Sequence, residues 1–269
     1  MSRIDAKFEE LRNRGEGALI AFVTAGDPTI RATPKIAKAL EDAGADMIEL
    51  GLPFSDPIAD GPTIQAAAER ALKSGMNTDA YFATIKKIRG AVKAPLICLT
   101  YFNLVLKRGV GRFMKDCRES GIDGVIIPDL PVEEAKEVIE KADDNNVDVI
   151  FLAAPTTTEK RMKKILDSTR GFVYLVSLLG VTGARKKLSR TVRGMINLAR
   201  KSSKKNVPLA VGFGVSSPGH VREVIESGAD GAIVGSAIVE IIANNMADEG
   251  KMLRGISNFV ASLKEVTRT

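Results

Sequence analysis

The chain has 269 residues, 45% hydrophobic and 27% charged, with 24 Gly and 11 Pro, a composition that fits one large α/β barrel or two small domains and excludes disordered, collagenous and coiled-coil chains. One histidine and two cysteines argue against a Ser-His-Asp triad of the familiar kind and leave no multi-His metal site, no paired-Cys zinc site and no disulfide framework, so no metal is expected. The net charge of +6 raises nucleic acid as a partner, but basic and acidic residues alternate along stretches such as 133–141. The basic clusters at 185–187 and 204–205 also lack interleaved aromatics, which is the pattern of a solvated surface.

Residues 1–14 form a charged amphipathic stretch without an apolar h-region, read as an extra N-terminal helix and not as a signal peptide. Runs of strand length, rich in Val, Ile and Leu, follow at 18–23, 47–50, 96–100, 125–127, 147–154, 172–179, 209–212 and 232–234. All are too short to span a bilayer, and a cytoplasmic location is expected. Helical patterns separate the runs: Ile36, Ala37 and Leu40 behind Thr33-Pro34; Phe113, Met114 and Cys117; Val132, Ala135, Val138 and Ile139; Met162, Ile165 and Leu166; Val221, Val224 and Ile225 behind Ser217-Pro218. The longest interval, 52–94, carries a loop and two helical patterns, and nothing reads as an interdomain linker. One junction nearly repeats. Gly44-Ala45-Asp46, Gly121-Ile122-Asp123 and Gly228-Ala229-Asp230 each place a C-capping glycine, an apolar residue and an aspartate before a strand. Buried strands alternating with helices mean a parallel sheet covered on both faces, and eight units favour closure. The expected fold is α/β, a single (β/α)8 TIM barrel domain over 1–269, with its active site at the C-terminal ends of the strands.

Glu49 lies inside the second run, on the face of Met47 and opposite Ile48 and Leu50, so it points into the barrel mouth if the helices cover the other two. A carboxyl among apolar neighbours has a raised pKa, which suits an acid/base working near neutral pH; an ion pair with an inward lysine is the structural alternative. The loop after it, from Gly51 to Pro62, is dense in turn residues yet carries Leu52, Phe54 and Ile58. Apolar residues there suggest a lid or a partner surface. Asp60 reads either as a helix N-cap or as the second carboxylate of a pair with Glu49. Glycines after the last three runs, at Gly180 and Gly183, Gly212 and Gly214, and Gly235 before Ser236, are placed as an anion cradle made of backbone N–H groups and a helix N-terminus.

Phe22-Val23-Thr24-Ala25-Gly26-Asp27-Pro28, Glu49-Leu50-Gly51-Leu52-Pro53-Phe54-Ser55-Asp56-Pro57 through Asp60-Gly61-Pro62, Pro128-Asp129-Leu130-Pro131, Gly180-Val181-Thr182-Gly183 and Gly212-Phe213-Gly214-Val215-Ser216 occur in order across nearly the whole chain. Together they resemble the tryptophan synthase α subunit family. The resemblance implies a lyase that cleaves indole-3-glycerol phosphate to indole and glyceraldehyde 3-phosphate by a retro-aldol reaction. It implies Glu49 as acid/base, Asp60 as the carboxylate that holds the indole N–H, and Tyr174 at the active-site tyrosine position. Phe22, Leu99 and Ile126 match the indole pocket. Gly183, Gly212, Gly214, Gly235 and Ser236 match the phosphate cradle, and Thr182 the loop residue that closes toward Asp60. Pro53, Phe54 and Asp56 fall on the surface that faces a β subunit, which carries pyridoxal phosphate; an α2β2 heterotetramer is expected, with no cofactor in this chain. Ala21 departs from the Pro of many relatives, and Ser177-Leu178-Leu179 from the Ser-Arg of some.

Other readings stay in view. A metal epimerase would need more than His220, and an isomerase with paired aspartates would need an acid near Ala153. A free-standing lyase that releases indole, or an idle regulatory barrel, would share this chain's pattern.

Overall fold

The computed structural model describes residues 1–176, 184–202, 206–212 and 214–268. The strands are β1 (Ala18–Thr24), β2 (Met47–Gly51), β3 (Leu96–Leu99), β4 (Gly124–Ile126), β5 (Asp148–Ile150), β6 (Leu152–Ala153), β7 (Val173–Val176), β8 (Leu209–Gly212) and β9 (Gly231–Val234). The helices are α1 (Arg3–Asn13), α2 (Thr33–Asp42), α3 (Pro62–Lys73), α4 (Thr78–Arg89), α5 (Phe102–Arg108), α6 (Val110–Ser120), α7 (Lys136–Asp144), α8 (Glu159–Ser168), α9 (Ala184–Ser202), α10 (Pro218–Glu226), α11 (Ser236–Asn244) and α12 (Glu249–Lys264).

The strands are hydrogen-bonded in the order β5-β4-β3-β2-β1-β9-β8-β7-β6, each pair parallel. The two ends of that row, β5 and β6, are separated in the chain by Phe151 alone. The row therefore closes on itself, and the barrel has eight strand positions. The run at 147–154, expected as one strand, changes partner at Phe151. Its first part pairs with β4 and its second with β7, while the Phe151 carbonyl accepts a hydrogen bond from Tyr174 N–H at 3.0 Å.

Alternation along each strand divides the core into two layers. Ile20, Met47, Ile97, Ile126, Ile150 and Ile233 fill the interior with Ile4, Phe8 and Leu11 of α1. Leu19, Ile48, Leu50, Cys98, Val125 and Val149 pack outward against the helices. α1 closes the bottom of the barrel, its Phe8 ring 5.8 Å from that of Phe172. It starts at a reciprocal cap, Asp5 N–H to the Ser2 hydroxyl and Ser2 N–H to the Asp5 carboxylate.

The repeated junction has a structural purpose at that same bottom end. Gly44, Gly121 and Gly228 take φ of 100°, 97° and 95°, the left-handed cap that favours glycine. The aspartate two residues on accepts a backbone N–H from the neighbouring strand: Leu19 to Asp46 at 2.7 Å, Leu96 to Asp123 at 2.8 Å, Leu209 to Asp230 at 2.7 Å. Each is also paired with a cation, Lys264 at 2.9 Å, Arg89 at 2.8 Å and Arg200 at 2.5 Å respectively. These carboxylates tie strand starts together, at the opposite end from the chemistry. Among the described residues no helix is long and apolar enough to cross a membrane.

Candidate active site

At the top end, β1 and β2 pair so that Phe22 lies beside Glu49. Met47 faces the interior and Ile48 and Leu50 face the helices, so Glu49 points into the barrel. It is 1% exposed, and its Oε2 has no hydrogen-bond partner among the described residues. Among the described residues no inward lysine answers it. Burial, and then the charge of Asp60, push its pKa up to about 8. The two carboxyl groups share one hollow, and the charge of Asp60 helps to hold the proton on Glu49.

Asp60 is not a helix cap. Gly61 is the N-cap of α3 and Pro62 its first residue, with no side-chain cap bond. Pro62 has no N–H to offer and presets the helical φ. Asp60 is left to line a cavity of about 210 Å³ with Phe22, Glu49, Leu99, Tyr174, Gly214, Gly235 and Ser236. Burial raises its pKa, and the Tyr101 hydroxyl opposes that rise. A larger hollow of about 750 Å³ lies beneath α1, lined by residues such as Arg3, Arg118 and Asp148, at the end of the barrel where the aspartates are structural.

Glycines make room for the aromatic walls. A Cβ on Gly51 would stand 2.9 Å from Phe22 Cζ, and one on Gly235 3.0 Å from Phe22 Cδ1, so both are small because the Phe22 ring lies against them. A Cβ on Gly212 would come within 2.6 Å of Tyr174 Cζ; Gly212 therefore backs the tyrosine and is not part of the cavity wall. Gly214 has φ +84°, where a side chain is strained. Tyr174 is buried, which together with Glu49 and Asp60 nearby keeps its hydroxyl protonated. α11 opens at Ser236 behind Gly235, so the end of the cavity away from Glu49 has a helix N-terminus, where an anion is favoured.

Ile126 lies in the interior core with Ile97 and Ile150 and does not line the cavity. Thr182 and Gly183 lie outside the described residues. Gly61, Ile64, Val215, Ser216 and Ile233 also line the cavity and were not singled out from the sequence; Ile64 and Ile233 follow the ordinary core periodicities of α3 and β9, so no local signal marks them. The loop expected to expose several apolar residues mostly covers them itself. Leu52 and Pro53 are buried and Phe54 is partly so, its ring 5.3 Å from that of Tyr101. Ile58 alone of the four stands out, at 81% exposed, and Asp56 is exposed with its carboxylate accepting the Ser55 hydroxyl.

The chain matches the family model described as tryptophan synthase alpha chain over residues 8–268. It is 51% identical over 240 residues to the tryptophan synthase alpha chain of Methanosarcina mazei, covering 89% of this chain and 86% of that one. It is 47% identical over 266 residues to that of Thermoanaerobacter sp. (strain X514), covering 99% and 100%. Among solved structures, it superposes on tryptophan synthase subunit alpha from Legionella pneumophila str. Paris with a TM-score of 0.91 and 33% identity, covering 99% and 98%. A chain of the tryptophan synthase complex from Pyrococcus furiosus gives 0.82 and 38%, covering 93% and 98%.

Proposed function

The chain belongs to the tryptophan synthase alpha chain family, and from that premise we propose that its 1–269 barrel acts as one domain whose mouth, around Glu49 and Asp60, is the active site. As a lyase of this family it cleaves indole-3-glycerol phosphate to indole and glyceraldehyde 3-phosphate, the alpha reaction of tryptophan biosynthesis.

The site supports the following roles. The indole ring lies between Phe22, Leu99 and Tyr174, and the phosphate at Gly214, Gly235 and Ser236, with Thr182 and Gly183 completing that end. Glu49, protonated at neutral pH, gives its proton to the ring carbon that bears the side chain. Asp60 accepts the indole N–H and offsets the positive charge that develops on the ring. The bond between ring carbon and side chain then breaks, its electron pair restoring the aromatic ring. The side-chain hydroxyl becomes the aldehyde and its proton returns to the Glu49 carboxylate, so the residue ends as it began. The observation that carries this reading is the buried Glu49 carboxyl, its Oε2 without a hydrogen-bond partner among the described residues, lining one cavity with Asp60.

The partner is a β subunit, which binds the pyridoxal phosphate, in an α2β2 assembly in the cytoplasm. It docks on the loop that carries Pro53, Phe54, Asp56 and Ile58; no metal or organic cofactor acts in this chain. The test is to incubate the chain with indole-3-glycerol phosphate and measure both products, with and without a tryptophan synthase β subunit. Slow cleavage accelerated by the partner is expected. Equal rates in the two conditions favour a free-standing lyase, and no product in either leaves only an idle barrel.

A further inference from the structure

We infer that Tyr101 is a positioning residue for the cleavage reaction, a post at the top of β3 that holds the loop between Glu49 and Asp60 and aims the Asp60 carboxylate at the indole nitrogen. This rests on the role proposed above for Asp60.

Tyr101 lies two residues beyond the end of β3 and is 3% exposed. The backbone beside it is held from the loop after β4, where the Asp129 carboxylate accepts the Phe102 N–H at 2.9 Å. From that anchored position the side chain meets the loop twice. The ring packs against Phe54, centroids 5.3 Å apart and planes tilted by 32°. The hydroxyl oxygen accepts the Ala59 N–H at 3.1 Å. Ala59 is the residue before Asp60, so one phenol grips both the early part of the loop and its catalytic end. With its oxygen accepting from Ala59, the hydroxyl has its single proton left to direct at an acceptor. The carboxylate of Asp60, next in the chain to Ala59, is an acceptor of that kind, and Tyr101 opposes the rise in pKa that burial imposes there. Tyr101 does not line the cavity; whatever it contributes, it contributes through Asp60.

The other end of the loop's travel is held as well. Gln65 Nε2, on α3, donates to the Asp60 carbonyl at 2.8 Å. The backbone of Asp60 is thus tied to the helix after it and the residue before it to Tyr101, at the point where Asp60 lines the cavity. Among the described residues, the ionisable groups that act on or face it are Tyr101 after β3, Glu49 on β2 and Tyr174 on β7; Asp129 stands behind Tyr101. Of these, Tyr101 alone lowers the Asp60 pKa.

Tyr101→Phe keeps the ring and its packing on Phe54 and deletes the hydroxyl. With the purified chain and indole-3-glycerol phosphate, the expected result is a kcat about ten- to a hundredfold lower, the range for losing a hydrogen bond to a charged group. KM should stay within about twofold, because no substrate contact is lost. The acid limb of the kcat/KM profile should move to higher pH, since the carboxylate has lost a donor that favours its charged form. The melting temperature should be close to the parent's. The inference is overturned if Tyr101→Phe has the parent rate and acid limb, if the change is confined to KM, or if kcat falls together with the melting temperature while the acid limb stays in place. Asp60→Asn is measured alongside. Should that variant keep the parent rate, the role given to Asp60 fails first; an inactive Asp60→Asn with an unaffected Tyr101→Phe removes only the role of Tyr101.

Discussion

Carboxyl groups wholly or partly buried occupy both ends of this barrel, and they are treated in opposite ways. At the bottom, Asp46, Asp123 and Asp230 each accept a strand N–H and each face a lysine or arginine. At the top, Glu49 has no cation and an Oε2 without a partner among the described residues. Even with partners, burial holds the pKa of Asp46 and Asp123 above the usual carboxylate value, as expected where desolvation outweighs attraction. The bottom carboxylates are nevertheless ties between strands. Asp148, which points inward beneath α1, lies between the two cases: its Oδ2 has no partner among the described residues, and burial lifts its pKa to about 6. A carboxyl supplied with donors is a structural element; one deprived of them holds a proton that can be given away.

The largest effect that would break this contrast is at Glu49. Glu49→Gln is expected to lower the cleavage rate by at least about 10² to 10⁴. It should also change how stability depends on pH. The folded-state pKa of about 8 exceeds the ordinary value of 4.5, so the folded chain binds more protons than the unfolded chain between those values, and stability falls as pH rises through that window. The variant has no such group. Its advantage over the parent in urea denaturation should grow by about 4 kcal/mol between pH 4 and pH 9; parallel profiles for the two proteins would mean that Glu49 is not held protonated.

Asp123→Ala tests the other end. It takes the acceptor from the Leu96 N–H and the ion-pair partner from Arg89, which keeps its bonds to the Gly121, Val92 and Ala94 carbonyls, and should cost about 3 kcal/mol of stability, while kcat of the folded variant stays at the parent value. A catalytic loss without destabilisation would undo the division between the two ends.

The phosphate end of the cavity gives a smaller, sharper test. Any side chain at Gly235 presses on Phe22, so Gly235→Asp should weaken binding of indole as well as of the phosphorylated substrate. Ser236→Asp adds the charge without that contact. It should raise the Kd for the phosphorylated substrate by about tenfold and leave indole binding unchanged; equal losses for both ligands would place the anion elsewhere.

The smallest effect concerns the loop. Ile58→Glu, at the most exposed apolar side chain there, should leave the rate of the isolated chain unchanged and reduce its acceleration by a β subunit. Undiminished acceleration, measured with purified partner, would move the docking surface off this loop.

What the sequence determined by itself is what depends on local periodicity. Strand-length apolar runs separated by helical patterns were sufficient for a closed parallel barrel, and alternation within β2 was sufficient to aim Glu49 inward, because successive side chains on a strand must face opposite ways. The Gly-x-Asp junctions were legible for the same reason, since a left-handed helix end followed by a strand start is set over a few residues. Tertiary structure alone decided the rest. Whether Asp60 capped α3 or entered the site depended on the helix beginning at Pro62 behind Gly61. That Gly235 serves Phe22 as well as an anion, that Gly212 backs Tyr174, and that Leu52 and Pro53 are covered could be known only after barrel closure brought distant segments together. The same holds for Tyr101: in the chain it is one aromatic after a strand, and only folding sets its ring on Phe54 and its hydroxyl on Ala59, because contacts across more than 40 residues leave no period in the sequence to read.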